Sequence, residues 1–327
     1  MSFLAFFYIL AHIAFILFRL PHFIITLILC LSLTVTLFAD DTVVILRSQE
    51  LSAYDMAIDG FVKECRLNNI DVKSIEDMRG KLENGRKVIA KYKNSDKKPD
   101  LFLAVGVLAA TLAKKSIKDT PVIFCMVVNY RRFNLSAPNI TGIASEVLEE
   151  KVINIYKQAI SQLNSVGVIY DSFKTKEMIA SGRRYFSSIG VELKGVSVKS
   201  SGQVKNALTK IIDDIDALWL VPDSTVISRA SFRTLYNGTL KKRVPILSTS
   251  DVFVKAGALI GVYPDYDNIG VEAGKMASMI LGGVEFEPGY VRYPDKIDVG
   301  VNLETASKIK LKISKETYEQ HHVVEFP

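Results

Sequence analysis

From Thr42 onward, short β-branched apolar runs alternate with stretches whose apolar residues recur every three to four positions. The runs Thr42–Leu46, Ile70–Ile75, Leu101–Val105 and Pro121–Val128 read as strands. Between them, Tyr54, Ala57, Ile58, Phe61, Val62 and Cys65 share one helical face, behind a capping box at Ser52 to Asp55. Further helices are expected over Gly80–Lys93, Val107–Lys115 and Glu146–Leu163, the last after a loop from Asn129 to Asn139 and the run Ile140-Thr141-Gly142. The second half repeats the scheme. Strands fall at Val166–Tyr170, Val191–Val198, Ala217–Val221 and Val244–Leu247, and helices at Lys174–Ser188, Gln203–Ile212 and Thr225–Leu240. A helix near Tyr266 to Leu281 ends at Gly282-Gly283, and a strand Lys296–Val301 with a short helix Leu303–Ile309 closes the pattern.

Near-continuous apolar strands separated by single helices imply parallel sheets covered on both faces. Two such series imply an α/β protein of two doubly wound, Rossmann-like lobes. In open α/β sheets, ligands sit where strands stop and helices begin. The stretch Val244 to Gly270 has two such ends in succession, Ser248-Thr249-Ser250-Asp251 and Tyr263-Pro264-Asp265-Tyr266-Asp267. The same residue types also cap helices, so this stretch by itself reads more readily as two capped loops.

Residues 2–39 are nearly all apolar and carry one charge, Arg19, before Ala39-Asp40-Asp41. This describes an export signal cleaved near Ala39, or a retained anchor helix, with membrane contact confined to residues 1–39. The whole chain of 327 residues is 49% hydrophobic and 23% charged, enough for two cores. A net charge of +6 without an Arg/Lys cluster interleaved with aromatics gives no indication of nucleic-acid binding. Cys65 and Cys125 read as buried thiols, while Cys30 lies in the leader. The histidines are His12, His22, His321 and His322, so no histidine is available in the body for a catalytic triad. No nucleotide-loop, zinc-protease or nucleophile-elbow motif occurs, and no cofactor or metal is expected.

Four stretches, taken together and in order, carry a resemblance: Asn139–Ile143, Asp216–Ser228, Val254–Gly270 and Val301–Leu311. They resemble the ABC-transporter substrate-binding protein family that includes tryptophan and tyrosine binders. The resemblance covers nearly all of residues 42–313. It implies a type I periplasmic-binding-protein fold, with a small molecule held in a hinged cleft. The lobes would comprise residues 40–163 with about 264–295, and 164–263 with about 296–327, the chain crossing near Leu163, Pro264 and Lys296. Candidate ligand contacts at the strand ends are Ser48, Gln49, Gly106, Val107, Asn129 and Tyr130 in the first lobe. In the second they are Tyr170, Asp171, Asp223, Ser224, Ser248, Thr249, Ser250 and Asp251, with Tyr266 at the return crossing.

The chain departs from the family where Gly106-Val107 stands for a Gly-Thr or Gly-Ser pair, and Val128-Asn129-Tyr130 for Thr-Asp-Pro. Two first-lobe side-chain anchors are thereby absent, which weighs against an ordinary α-amino acid as ligand. The implied function is an exported, periplasmic or cell-surface receptor, not an enzyme. It would deliver an amino-acid-like or other small polar or aromatic solute to the permease and ATPase of an importer. The alternative is a receptor of the same fold that is membrane-anchored or works beside a membrane sensor. A hydrolase using Asp223 or Asp251 ranks below both. Trp219, inside a strand, is expected in the core.

Overall fold

A computed structural model describes residues 41–93, 95 and 98–327. The apolar leader and Cys30 lie outside the described residues. The chain opens with β1 (Thr42–Arg47), α1 (Ser52–Leu67), β2 (Asp71–Asp77), α2 (Leu82–Lys93), β3 (Leu101–Val105), α3 (Val107–Ser116), β4 (Val122–Cys125) and β5 (Ile140–Ile143). It continues with α4 (Glu149–Ala159), β6 (Ser165–Tyr170), α5 (Ser172–Ser188), β7 (Glu192–Ser197), α6 (Val204–Ile211), β8 (Ala217–Leu220), α7 (Arg229–Lys242), β9 (Ile246–Ser248), α8 (Asp251–Lys255) and β10 (Ile260–Pro264). The last elements are α9 (Tyr266–Leu281), β11 (Val291–Arg292), β12 (Ile297–Asn302), α10 (Leu303–Ile309), α11 (Lys315–Gln320) and β13 (Val323–Phe326).

Two sheets form. The first has the order β11-β5-β4-β3-β1-β2 and the second β13-β12-β10-β9-β8-β6-β7. Pairing is parallel throughout except at β12, which runs antiparallel to β10. Central strands such as β3 and β8 are buried along their whole length, as a sheet with helices on both faces requires. In the first sheet, Val43 and Ile45 face α1 and α9, while Val44 and Leu46 face α2 and α3. In the second, Val168 and Trp219 pack toward α4 and α5, while Leu218 and Leu220 pack toward α6 and α7.

Several expectations change. Helix α4 buries Val152, Ile155, Tyr156 and Ala159 in the cluster that holds Val166, Val168 and Trp219. It therefore packs on the second sheet, and the first crossing falls at residues 144–148 rather than near Leu163. Helix α1 starts at Ser52, but Leu51 occupies the cap position without a side-chain bond. Asp55, read as half of a capping box, instead pairs with Arg47 at 2.7 Å. The fourth strand stops at Cys125 because Met126 has φ of 56°, which breaks the ladder. The helix expected from Thr225 begins only at Arg229, with Ser228 accepting the Ser231 N–H as its cap. Beyond Ile309, α11 and β13 were not expected. β13 is too short and too polar on its exposed side to stand out, yet it pairs with β12 over four residues. Cys65 and Cys125 are fully buried, and burial pushes both thiols up to about 12, so they serve as inert core groups.

Candidate functional site between the lobes

The C-terminal ends of both sheets border one cleft of about 320 Å³. Leu51, Ala53, Tyr54, Met126 and Val128 supply the first-lobe wall, and Tyr266 projects from the first turn of α9. Met178 of α5, Trp219, Leu220, Pro222, Ile227 and the run Thr249–Phe253 form the second-lobe wall. The first crossing contributes Ser145, Glu146 and Val147. Among the described residues the lining holds three carboxylates, Glu146, Glu149 and Asp251, and no lysine, arginine or histidine. A mostly apolar concavity with a few convergent polar groups is the usual form of a small-molecule site.

Contacts across the cleft tie the lobes on two sides. The Asn129 side-chain amide donates to the Lys174 carbonyl at 3.1 Å, from the loop after β4 to the first turn of α5. On the other side the Tyr266 hydroxyl meets Asp251 Oδ1 at 3.4 Å. Tyr266 also stacks on Tyr263 at 6.1 Å between centroids, where the chain returns from β10 to α9. Burial and the nearby Asp251 carboxylate raise the Tyr266 phenol above its ordinary value, so it remains a neutral donor.

Of the positions expected from strand ends, Thr249, Ser250, Asp251 and Tyr266 line this cleft. The others do not, and most of them have an internal task. Ser48 Oγ accepts the Ala109 N–H at 2.9 Å and so satisfies the first turn of α3. Gly106 has φ of 87°, and a Cβ there would lie 2.6 Å from the Tyr54 hydroxyl and 2.8 Å from Ser48 Oγ. Its lack of a side chain lets both hydroxyls approach the strand end. Val107 packs against the first-lobe core, and Gln49 is exposed. Asn129 and Tyr130 form the rim loop, with Tyr130 against Phe124. Tyr170 packs on the second-lobe core. Asp171 caps α5 by accepting the Phe173 N–H and also accepts the Thr225 hydroxyl. Asp223 is fully enclosed and accepts from Asp171, Thr175 and Thr225. Ser224 Oγ accepts from Lys174 at 2.7 Å. Ser248 is buried and braces its own turn through Ser250.

Sequence reasoning missed Tyr54, Met126, Ser145, Glu146, Met178, Phe253 and the cleft role of Trp219. Tyr54 sits on a helical face that reads as a core stripe, and Met178 lies inside an expected helix. Glu146 carried a usable signal, an acid three residues past the buried run Ile140–Ile143, but it read as the start of a helix. Trp219 is buried as expected, yet it also lines the cleft, and its indole N–H has no partner among the described residues.

Glu146 is the most perturbed carboxyl of the cleft. Burial pushes it up to about 7, against the pull of the Asn129 and Tyr130 N–H groups and Arg131. The folded protein therefore keeps this proton through a range where the unfolded chain, titrating near 4.5, has already lost it. Its contribution to stability is complete below about 4.5 and declines as pH rises through about 7. The decline should reach roughly 2 kcal/mol, allowing for the part of the side chain still near water. Urea unfolding at pH 5 and pH 8 checks this. Glu146→Gln should remove that part of the pH dependence, and equal slopes in both proteins would contradict it.

Residues 43–322 match the sequence model of the family described as ABC transporter substrate binding protein. A tyrosine-binding protein of Clostridioides difficile (strain R20291) is 23% identical over 277 residues, covering 80% of this chain and 79% of the relative. Among solved structures, a ligand-free, open substrate-binding protein with adhesive properties from Clostridium difficile aligns with TM-score 0.75 at 21% identity. That alignment covers 88% of this chain and 100% of the other. The ABC domain from Streptococcus pneumonia in complex with L-Trp gives TM-score 0.66 at 18% identity, with 88% and 100% covered. At such identities the structural likeness shows a shared fold.

Proposed function

Because the chain belongs to the ABC transporter substrate-binding protein family, we propose that the cleft between its lobes is where it captures a small solute for an importer. The observation that carries this reading is the cleft itself. It is built from both lobes at their strand ends and has aromatic walls from Tyr54, Trp219, Phe253 and Tyr266. The proposed contacts are these residues with Thr249, Ser250, Asp251 and Glu146. The fold supports closure of two lobes about their crossing segments, with the Asn129–Lys174 and Tyr266–Asp251 contacts made when the lobes meet. The lobes are proposed to divide by sheet, with α4 on the second.

Binding occurs without turnover. Asp223 is sealed among its donors, and Asp251 is paired with Lys255 at 2.7 Å, so neither carboxylate is placed as a free general base. Export to the periplasm or cell surface follows the apolar pattern of residues 1–39, and a permease and ATPase are the expected partners. The test is thermal unfolding of the body from residue 41 across amino acids, amines, nucleosides and small amides. A true ligand at a hundred times its dissociation constant should raise Tm by about 5 °C or more. A flat response across the whole panel would overturn the proposal.

A further inference from the structure

The charge of the cleft is one-sided. Glu146, Glu149 and Asp251 reach its wall, and among the described residues no basic side chain does. Asp251 is already neutralised by Lys255 and receives the Tyr266 hydroxyl. Glu146 and Glu149 form no salt bridge among the described residues; both also border the adjoining polar groove, which Arg131 and Arg184 line, but neither arginine reaches the cleft wall itself. Glu146 Oε2 accepts the Asn129 N–H at 3.0 Å. A carboxylate has about four acceptor positions, so capacity remains for a ligand donor.

Two further wall residues carry polar atoms with no protein partner among the described residues. Ser145 is 8% exposed and Trp219 is 2% exposed, and neither Ser145 Oγ nor Trp219 Nε1 is hydrogen-bonded. Buried polar atoms are rarely left unpaired unless something absent satisfies them. Ser145 adjoins Glu146 and complements a donor-rich group. The indole N–H is a donor only, so it fits an oxygen acceptor such as a phenol or carbonyl. Between these groups lie Tyr54, Met126, Met178, Phe253 and Tyr266, which suit an apolar or aromatic body and favour a cation over their faces.

We propose that the cleft selects a small cationic amine on an aromatic or apolar body, its ammonium held by Glu146, in preference to a zwitterionic amino acid. This rests on the cleft being the solute site. A free α-carboxylate would enter a wall that, among the described residues, already holds three carboxylates and offers no cation. The side-chain anchors that could oppose this are also missing, since Val107 stands at the first-lobe helix start and Ser48 is committed to Ala109.

Tyramine, L-tyrosine and 3-(4-hydroxyphenyl)propionate share one ring and differ in charge, and tryptamine, L-tryptophan and indole-3-propionate repeat the series. Isothermal titration at pH 8 should show each amine binding at least tenfold more tightly than its amino acid, with no measurable binding of either acid. Glu146→Gln keeps an acceptor for the Asn129 N–H but loses the charge. It should weaken amine binding at least tenfold while leaving Tm and circular dichroism close to those of the parent at pH 5. An amino acid that binds as tightly as its amine, or an amine indifferent to Glu146→Gln, overturns this inference and leaves solute capture standing. Failure of all six compounds to bind overturns the inference, while solute capture itself stands or falls on the wider thermal-unfolding panel.

Discussion

Asp223→Ala is expected to lower folding stability by about 4 kcal/mol, through three donors left without an acceptor. Asp223 Oδ2 accepts the Asp171 N–H at 2.7 Å and the Thr175 hydroxyl at 2.9 Å, and Oδ1 accepts the Thr225 N–H at 2.9 Å. The residue has no exposed surface, so water cannot replace the lost oxygens without opening the loop. Each orphaned donor costs about 1–3 kcal/mol, and the three share one site, so the total falls below their simple sum. The loss also reaches the cleft. Asp171 caps α5, and that helix carries Met178 in the cleft wall. Asp223→Asn retains one carbonyl oxygen but turns an amide toward a donor, and should cost about half as much. Equilibrium urea unfolding measures both. An alanine variant within about 1 kcal/mol of the parent would show that this junction is not the tie described.

Gly270→Ala should destabilise the protein by about 3 kcal/mol, even though alanine is the better helix former by about 1 kcal/mol. Helices α1 and α9 are in backbone contact at this point. A Cβ on Gly270 would lie 1.8 Å from the Ala57 carbonyl oxygen and 2.7 Å from the Phe61 nitrogen. Gly60, facing it, would put a Cβ 2.2 Å from the Asp267 carbonyl oxygen. Neither obstacle is a flexible side chain, so relief requires the helices to separate and Ile269, Ala273 and Phe61 to lose packing. Gly274→Ala meets Glu64 Cγ at 2.8 Å, which can rotate away, and Glu64 Cβ at 2.6 Å, which is fixed by its helix; these contacts are longer than those at Gly270, so the variant should destabilise, but by less. Because Tyr266 is the first residue of α9, Gly270→Ala should also weaken any ligand held in the cleft. Urea unfolding that finds Gly270→Ala as stable as the parent would overturn the close-packed reading.

Much of this was legible in the chain. The alternation of buried strand and amphipathic helix is local information, because a strand covered on both faces must be apolar throughout and a covering helix must carry a stripe. That pattern determined the two-lobed α/β architecture, and the order of modest motifs determined the family. The placement of Thr249 to Asp251 and of Tyr266 at the cleft was also readable, since strand ends in such sheets converge there. Individual side-chain assignments were less secure. Asp223 and Ser48 look like ligand groups in sequence, but each answers a donor brought from another segment, 52 residues away for Asp171 and 61 for Ala109. Pairings at that separation leave no mark on local pattern.

The sequence by itself determined most of the elements, the covered sheets and the family. Only the tertiary structure decided that α4 belongs to the second sheet, since its apolar stripe would fit either core. It also decided that β13 completes that sheet, because a four-residue strand is defined by its partner rather than by its own composition. Above all, it brought Glu146, Ser145 and Trp219 to one cleft that no cation lines among the described residues. That charge imbalance is a property of the three-dimensional wall, invisible in a chain whose overall charge is +6.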